Sequence, residues 1–351
     1  MNVFASGPGR DGALMSWGYD AMSGRLRLLP LCMFFAALLV VGCGEGSDPL
    51  LREHGSKIAF VSGRDGYMRI YTMNADGSNQ QPLTDPEYGE DIHPVWSPDG
   101  SRVAFISNDD GERDIHIVEA DGTNPRNITN TPAVREESLA WSPDGASIAY
   151  AAYDYYSDGG YQLFIMDADG SDIRPLGSTS LYGLPMRLGW SPLGTSLVYA
   201  VRAAVGDGGG PGLLATLDAD GENRRIIARA PPQFHESPEW SRNGLWIATT
   251  VTTPGNRGIT VMDGNGENRR AVTHEPWGSH EWPTWSPDGR HIAYAGGRWG
   301  GTTMFYRRRY EGRSDIHVVD LDDLSVRKLT DSRHFDGMPA WSPRLAPDGE
   351  E

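Results

Sequence analysis

The 351-residue chain is strongly acidic, with 47 Asp and Glu against 31 Lys and Arg and a formal net charge of −16. Such a surface repels the phosphate backbone, which excludes nucleic acid as an expected partner. The 44 Gly and 24 Pro make up close to a fifth of the chain and indicate many tight turns and few long helices. With 11 Trp, 14 Tyr and 9 Phe the chain can bury a sizeable core, and it is neither a collagen nor a coiled coil.

The N-terminal region has the pattern of an export signal. Arg25 and Arg27 precede an apolar stretch from Leu28 to Val41, which corresponds to the charged and hydrophobic regions of a secretory signal. At about 14 residues the stretch is too short to span a bilayer as a helix. We expect the signal peptide within residues 1–42, with translation starting at Met22 or, as the alternative, at Met15.

The signal ends in a sequence that resembles a lipid-attachment site. Val40-Val41-Gly42-Cys43 is similar to the lipobox of bacterial lipoproteins, which implies that Cys43 is acylated and anchors the chain to the membrane. The alternative is an ordinary cleavage site after small residues. In the first case residues 43–55 form a lipidated Cys and a polar tether, and the protein lies on the periplasmic or cell-surface side.

A repeat occupies the rest of the chain. Trp-Ser-Pro-Asp-Gly occurs at 96–100, 141–145 and 285–289, with degenerate copies at Trp190, Trp240 and Trp341. The spacings of 45 to 56 residues between these Trp residues match a four-stranded propeller blade. Pro and Gly favour a tight turn at each copy, and we expect the Trp to pack between neighbouring sheets.

The order of the strands predicts an all-β fold, a six-bladed β-propeller of four-stranded blades over residues 56–343. The strands of residues 57–84 have no Trp strand before them, and the Trp341 strand has no others after it. We therefore expect the ring to close by pairing of the C-terminal Trp341 strand with the N-terminal strands, because closure removes exposed sheet edges. Residues 344–351 are expected to be a disordered tail.

The repeat resembles that of a known family. Pro-x-Trp-Ser-Pro-Asp-Gly, followed by a strand such as 103–107 and by an Ala-Asp-Gly turn, is similar to the WD40-like repeat of the TolB family of periplasmic β-propellers. The resemblance covers residues 56–343 and implies an envelope protein. Only a short segment separates Cys43 from Lys57, so we expect a TolB-like propeller without the α/β domain that precedes the propeller of TolB itself. The Gly-x-Ser-x-Gly elbow of the related oligopeptidases does not occur in this chain.

Enlarged loops are expected at one end of the propeller. The loops between second and third strands and the crossovers between blades share that end, which we call the irregular face. Its enlarged loops are 153–161, 206–212 and 296–314. They carry the candidate binding residues Tyr155, Tyr156, Trp299, Tyr306, Arg308 and Tyr310, of types that often anchor protein interfaces. A tolerated insertion with solvated charges is the alternative.

Acidic residues and His recur in the crossovers, where the central channel should open. The candidates at this channel mouth are Asp91, His93, Glu137, His235, Glu236, His280 and Glu281. Converging carboxylates and imidazoles can bind a divalent cation or polarise a substrate. The alternative is that the repeat places a similar capping residue in each blade. No other cofactor is expected, and no residue is assigned a catalytic role.

Two functions of different classes follow. The first is a non-enzymatic, lipid-anchored scaffold, monomeric, that binds an envelope protein or a peptide through the irregular face. The second is a metal-dependent carbohydrate-active enzyme that resembles oligogalacturonate lyase, with channel-mouth histidines holding the metal and Arg187 as the basic group for a uronate. They differ in whether His93, His235 and His280 point to a common centre.

Overall fold

The computed structural model describes the strand-forming part of the chain. The described residues are 55–85, 89–109, 111–131, 134–155, 160–181, 183–203, 212–229, 234–253, 256–273, 278–297 and 313–343. They lie within a compact unit that extends from Gly46 to Glu351. Within these ranges no helix has the length and apolar character needed to cross a bilayer. The expected signal peptide, the Cys43 anchor and the C-terminal tail lie outside the described residues.

Five hydrogen-bonded sheets contain the strands. The first sheet has the order β24-β1-β2-β3 and consists of β1 (Lys57–Ser62), β2 (Arg69–Asn74), β3 (Gln81–Pro82) and β24 (Asp336–Trp341). The second consists of β4 (Asp91–Trp96), β5 (Arg102–Ser107), β6 (Asp114–Glu119) and β7 (Arg126–Asn127). The third consists of β8 (Val134–Trp141), β9 (Ser147–Asp154), β10 (Tyr161–Asp167) and β11 (Arg174–Leu181).

The remaining strands form one small and one large sheet. The fourth sheet consists of β12 (Gly183–Trp190), β13 (Ser196–Ala203), β14 (Gly212–Asp218) and β15 (Arg225–Arg229). The fifth begins with β16 (Phe234–Trp240), β17 (Trp246–Thr253), β18 (Asn256–Asp263) and β19 (Arg270–Ala271). It continues with β20 (Ser279–Trp285), β21 (His291–Gly297), β22 (Ser314–Asp320) and β23 (Val326–Lys328).

This arrangement corrects the predicted architecture. The fold is an all-β propeller, but only four sheets are separate four-stranded blades, and the other eight strands are one continuous sheet. A parallel pair between β18 and β20, with Arg257 opposite Ser279, joins the two halves of that sheet. The Arg257 amide donates to the carbonyl oxygen of Gly278 at 3.5 Å in the same place. The prediction of six separate blades is therefore wrong.

The first sheet contains strands from both ends of the described chain. β24 pairs antiparallel with β1, with Ile58 opposite Trp341 and Ala59 opposite Ala340. Beyond this pair, the Lys57 amide donates to Ser342 Oγ at 2.8 Å, and the Ser342 amide donates to the Lys57 carbonyl at 2.8 Å. The closing contact that the repeat predicts between the Trp341 strand and residues 57–84 is thus present.

The strands that end in the repeat Trp lie side by side at the centre. β4, β8, β12, β16, β20 and β24 contact one another in that order, and β24 contacts β4. Trp96 Nε1 donates to the Ala340 carbonyl and Trp285 Nε1 to the Glu239 carbonyl, both at 3.2 Å. These two indoles therefore link neighbouring central strands, as expected for a Trp between sheets.

The turn after each Trp follows the chemistry of its residues. Gly100 has φ of +73°, a conformation that only Gly adopts without strain. Its amide donates to the Ser97 carbonyl at 2.9 Å, and Ser97 Oγ donates to Asp99 Oδ1 at 2.6 Å. The Ser-Pro-Asp-Gly sequence therefore specifies a tight, self-bonded turn at the end opposite the irregular face.

Each central strand also carries a bulge a few residues before its repeat Trp. The pairing register shifts there in all six strands. In four of them the residue before Pro has positive φ: His93 (56°), Ser237 (50°), Trp282 (55°) and Met338 (50°). Residues before Pro are normally extended, so the packing around these strands imposes the bend. Because a bulge adds a residue to one strand, it changes the side of the sheet on which the neighbouring crossover side chains lie.

Candidate binding face and channel mouth

The channel-mouth candidates occupy two different registers. Asp91 lies opposite Ser107, His235 opposite Val251 and His280 opposite Gly296. The same register holds two acids that the sequence analysis missed, Glu136 opposite Ala152 and Asp336 opposite Ser62. Glu236 and Glu281 follow one residue later and therefore point to the other side of their sheet, because side chains alternate along a strand.

Asp91 and Asp336 are both hydrogen-bonded to hydroxyl groups, and one partner of Asp91, Thr84, follows β3 of the neighbouring sheet. Asp91 is buried, which raises its carboxyl pKa, while hydrogen bonds from Thr84 and Ser107 oppose that rise. Asp336 accepts from Ser62 Oγ at 2.6 Å and from Arg64 Nη2 at 3.1 Å. Both carboxylates therefore hold strands together at the channel mouth.

Glu137 lies between two arginines. Its Oε2 accepts from Arg113 Nη1 at 2.7 Å, and its Oε1 is 2.7 Å from Arg135 Nε. Arg113 precedes β6, whereas Glu137 and Arg135 belong to β8. The pair with Arg113 therefore connects two neighbouring sheets, and charge neutralisation explains how a carboxylate can be buried there.

Arg257 makes the same kind of connection between β18 and β20. Its Nη1 donates to Glu281 Oε1 at 2.5 Å and lies 3.7 Å from Glu236 Oε2. Ser279 Oγ also donates to Glu281 Oε1, at 2.6 Å. Arg257 precedes Glu281 by 24 residues, the spacing that also separates Arg113 from Glu137. This repeated spacing is a signal that the sequence contained and that could have identified both arginines.

The channel-mouth histidines do not share a centre in the structure. The His280 ring packs edge-on against Tyr294 with centroids 5.1 Å apart, and His93 is buried at its bulge. His235 is buried against the face of the sheet that contains β16 to β19. Across the described ranges, no three His, Cys, Asp or Glu side chains are gathered so that they could hold a metal ion.

Arg187, the predicted basic group, lies in the interior. Its side chain is buried, which lowers its guanidinium pKa, and Nη2 lies 4.0 Å from Glu239 Oε2. Glu239 Oε1 in turn accepts from Thr284 Oγ1 at 3.0 Å. Thr284 Oγ1 also accepts from the Trp341 amide at 3.1 Å. This chain of contacts links central strands to one another.

The irregular face carries three tyrosines and an arginine that contacts one of them, which we call the tyrosine cluster: Tyr153, Tyr155, Tyr161 and Arg135. The Tyr153 ring lies 5.3 Å from that of Tyr155 and 5.2 Å from that of Tyr161. Arg135 forms a hydrogen bond with the Tyr155 side chain, and Tyr155 remains 48 % exposed. The sequence singled out Tyr155 but not Arg135.

The other predicted loop residues stay predictions. Tyr156, Trp299, Tyr306, Arg308 and Tyr310 lie outside the described residues. Tyr67, in the loop between β1 and β2 at the same end, is 54 % exposed and was not predicted. No repeat position marks Tyr67, because loops between second and third strands vary from blade to blade.

The repeat also matches a protein family directly. The model of the TolB beta propeller domain matches residues 39–241, more than half of the chain. The chain belongs to this family. No curated protein matches the chain.

Solved structures share the fold. TolB from Acinetobacter baumannii is 19 % identical with a TM-score of 0.66, over 83 % of this chain and 67 % of that one. A chain of a nidogen/laminin complex is 13 % identical with a TM-score of 0.64, over 83 % of this chain and all of that one. An oligogalacturonate lyase in complex with manganese is 17 % identical with a TM-score of 0.51, over 80 % and 76 %. At these sequence identities the comparisons show a shared fold alone.

Proposed function

We propose that this TolB-like propeller is an exported, lipid-anchored scaffold that binds an envelope protein or a peptide segment through its irregular face. The tyrosine cluster is the observation that carries the proposal. Tyr and Arg are enriched among residues that dominate protein interfaces, because they combine a large apolar area with a polar group. Membership of the TolB family and the likeness to a chain of the nidogen/laminin complex are consistent with it.

The packing of the tyrosine cluster favours recognition of another molecule. Three rings rest against one another and Arg135 holds the Tyr155 hydroxyl, so the rings lose little freedom on binding. Arg135 is in turn held by Glu137, which Arg113 also contacts. The surface is therefore ordered before a partner arrives.

Photocrosslinking in the native cells tests this proposal. A photoreactive phenylalanine analogue replaces Tyr155, and in a matched chain it replaces Leu193, which is 86 % exposed in the turn between β12 and β13 at the opposite end. We expect a discrete protein adduct from position 155 and none from position 193. Adducts of equal yield from both positions would contradict the proposal.

The proposed lipid anchor has its own test. Cys43 follows the apolar signal stretch in a lipobox-like sequence, which supports acylation of its thiol. Cells fed with labelled palmitate should incorporate it into the wild-type chain and not into Cys43→Ser. Label retained in Cys43→Ser would contradict the proposed acylation of Cys43.

The metal-dependent lyase remains the second candidate, and fold likeness to the manganese-bound lyase is its support. The separate surroundings of His235 and His280 weigh against it. The test is elemental analysis of protein prepared without chelator, beside a His93→Ala, His280→Ala double variant. Stoichiometric manganese that disappears in the double variant would favour the enzyme over the scaffold.

A further inference from the structure

A cavity of about 340 Å³ lies against the sheet formed by β16 to β19. Its lining includes His235, Val251, Asn256, Gly258, Arg269 and Thr273. His235 is opposite Val251, and Val251 is opposite Gly258, so these residues lie on one face of the sheet. A Cβ on Gly258 would stand 3.4 Å from Thr273 Oγ1, so glycine keeps the floor of the cavity open.

Buried polar atoms without partners face this cavity. His235 is 2 % exposed, and neither ring nitrogen has a hydrogen-bond partner. Burial, with the charge of Arg269 nearby, lowers the imidazole pKa to about 4, so the ring is neutral at physiological pH. A neutral imidazole has one donor and one acceptor nitrogen. Asn256 Oδ1 is also buried and lacks a donor. Leaving such groups unsatisfied is unfavourable, which indicates a site for a polar ligand.

The charge around the cavity selects the kind of ligand. Arg269 lines it and is oriented by a hydrogen bond from Nε to the Gly266 carbonyl at 2.8 Å. Among the described residues that line the cavity, no Asp or Glu occurs. In a chain of net charge −16 this is a locally positive site. Such a site favours an anion.

We propose that the β16–β19 cavity binds a small hydroxylated carboxylic acid, of the size of a sugar acid. One hydroxyl group can donate to Asn256 Oδ1, and further hydroxyls can donate to the acceptor nitrogen and accept from the donor nitrogen of the neutral His235 ring. The carboxylate pairs with Arg269, and Val251 and Gly258 provide an apolar floor. The cavity volume lies at the small end of the range for ligand sites.

Calorimetric titration of the full chain tests the proposal with three probes that separate its parts. Gluconate has hydroxyls and a carboxylate, sorbitol has the hydroxyls alone, and hexanoate has the carboxylate alone. We expect gluconate to bind at least about ten-fold more tightly than either of the others. Equal binding of hexanoate, equal binding of sorbitol, or no binding of gluconate at millimolar concentration overturns the proposal.

Two arginine variants locate the site. Arg269→Gln should weaken gluconate binding by about ten-fold, because a charge-assisted hydrogen bond is lost. Arg270→Gln is the matched control, since the Arg270 guanidinium donates to the Leu321 carbonyl instead, at 3.2 to 3.3 Å. Both side chains are on the surface, so neither change should unfold the protein. Equal effects of the two variants would show a nonspecific charge effect and overturn the assignment.

A spectroscopic readout reports on His235 itself. The ring signals of the nine His residues can be followed by NMR, with the His235 signal assigned by its absence in His235→Gln. Gluconate should shift this signal, and sorbitol and hexanoate should shift it less at equal concentration. Gluconate binding that leaves the His235 signal unmoved places the ligand elsewhere and contradicts the proposal.

Discussion

Glu136 is a buried acid whose surroundings disfavour its charged form. It is fully buried, and burial raises its carboxyl pKa to about 8, although Thr131 Oγ1 donates to Oε1 at 2.8 Å. Proximity to Asp114 adds to the rise. The folded protein therefore binds a proton here that the unfolded chain releases near pH 4.5, the ordinary value.

This difference predicts that Glu136 makes stability fall as pH rises. Its contribution is complete below about pH 4.5 and is lost as pH rises through about 8, with a total on the order of 5 kcal/mol. Glu136→Gln, which mimics the neutral acid, should remove this dependence, whereas the exposed Glu112→Gln should not. Denaturant unfolding at pH 5 and pH 8.5 measures it. If the free energy of unfolding falls equally from pH 5 to pH 8.5 in wild type and in Glu136→Gln, the raised pKa of Glu136 is contradicted.

Arg257 is predicted to be important for stability because it neutralises two buried acids. Its side chain contacts both Glu236 and Glu281, which are 5 % and 6 % exposed. Arg257→Met should lower the free energy of unfolding by about 2 kcal/mol, since the acids keep their charge without a partner. Adding Glu281→Gln to Arg257→Met should recover part of the loss.

Arg174 offers a control for that measurement. It pairs with Asp172 at 3.6 Å on the surface, and both side chains are more than half exposed. Arg174→Met should therefore change the free energy of unfolding by less than about 1 kcal/mol. Equal losses for the Arg257 and Arg174 variants in urea unfolding would contradict the role given to Arg257.

At the scale of the strands, much could be predicted from the repeat. The Trp strand, the Ser-Pro-Asp-Gly turn and the pairing of β24 with β1 all follow from local residue chemistry and from the order of the copies. The extension of the fifth sheet to eight strands could not be predicted, because a single backbone pair, Arg257 with Ser279, joins its halves. Backbone contacts of this kind depend on how closely neighbouring blades approach, and the repeat does not specify that distance.

The candidate site was less predictable than the fold. A bulge in each central strand changes the facing of the crossover residues, so residues that look equivalent in sequence point in different directions. The partners of the predicted acids, such as Arg113 and Arg257, lie on other strands. His235 could be named from the sequence, but not its burial against the sheet, which depends on packing.

The closing pair offers a prediction at the scale of strands. Cys at Ala59 and Ala340, which are directly opposite in β1 and β24, should form a disulfide across the closure. Because this bond closes a loop of most of the chain, oxidation should stabilise the fold by about 4 kcal/mol, in a background with Cys32 and Cys43 replaced by Ser. A matched disulfide, made by the changes Ala104→Cys and Ile117→Cys, closes only a short hairpin. It should therefore stabilise the fold less. Melting curves with and without reductant measure both, and a larger effect from the hairpin bond would contradict the role of the closure.

At the scale of the whole molecule, the two ends of the propeller differ. The end with the Ser-Pro-Asp-Gly turns repeats one tight, self-bonded structure, as at Ser97 and Gly100. The irregular face carries variable loops, the exposed Tyr67 and the tyrosine cluster. A rigid ring with one variable end suits recognition of another molecule, because the scaffold positions the loops without having to change itself.

The affinity of the crosslinked partner for point variants tests this account most directly. With the purified partner on a biosensor surface, Tyr155→Ala should weaken binding by about ten-fold or more, as expected for an aromatic anchor at an interface. Leu193→Ser, at the opposite end, should leave the affinity unchanged. Unchanged binding by Tyr155→Ala together with weakened binding by Leu193→Ser would show that the partner uses the other face, and would contradict the proposed function.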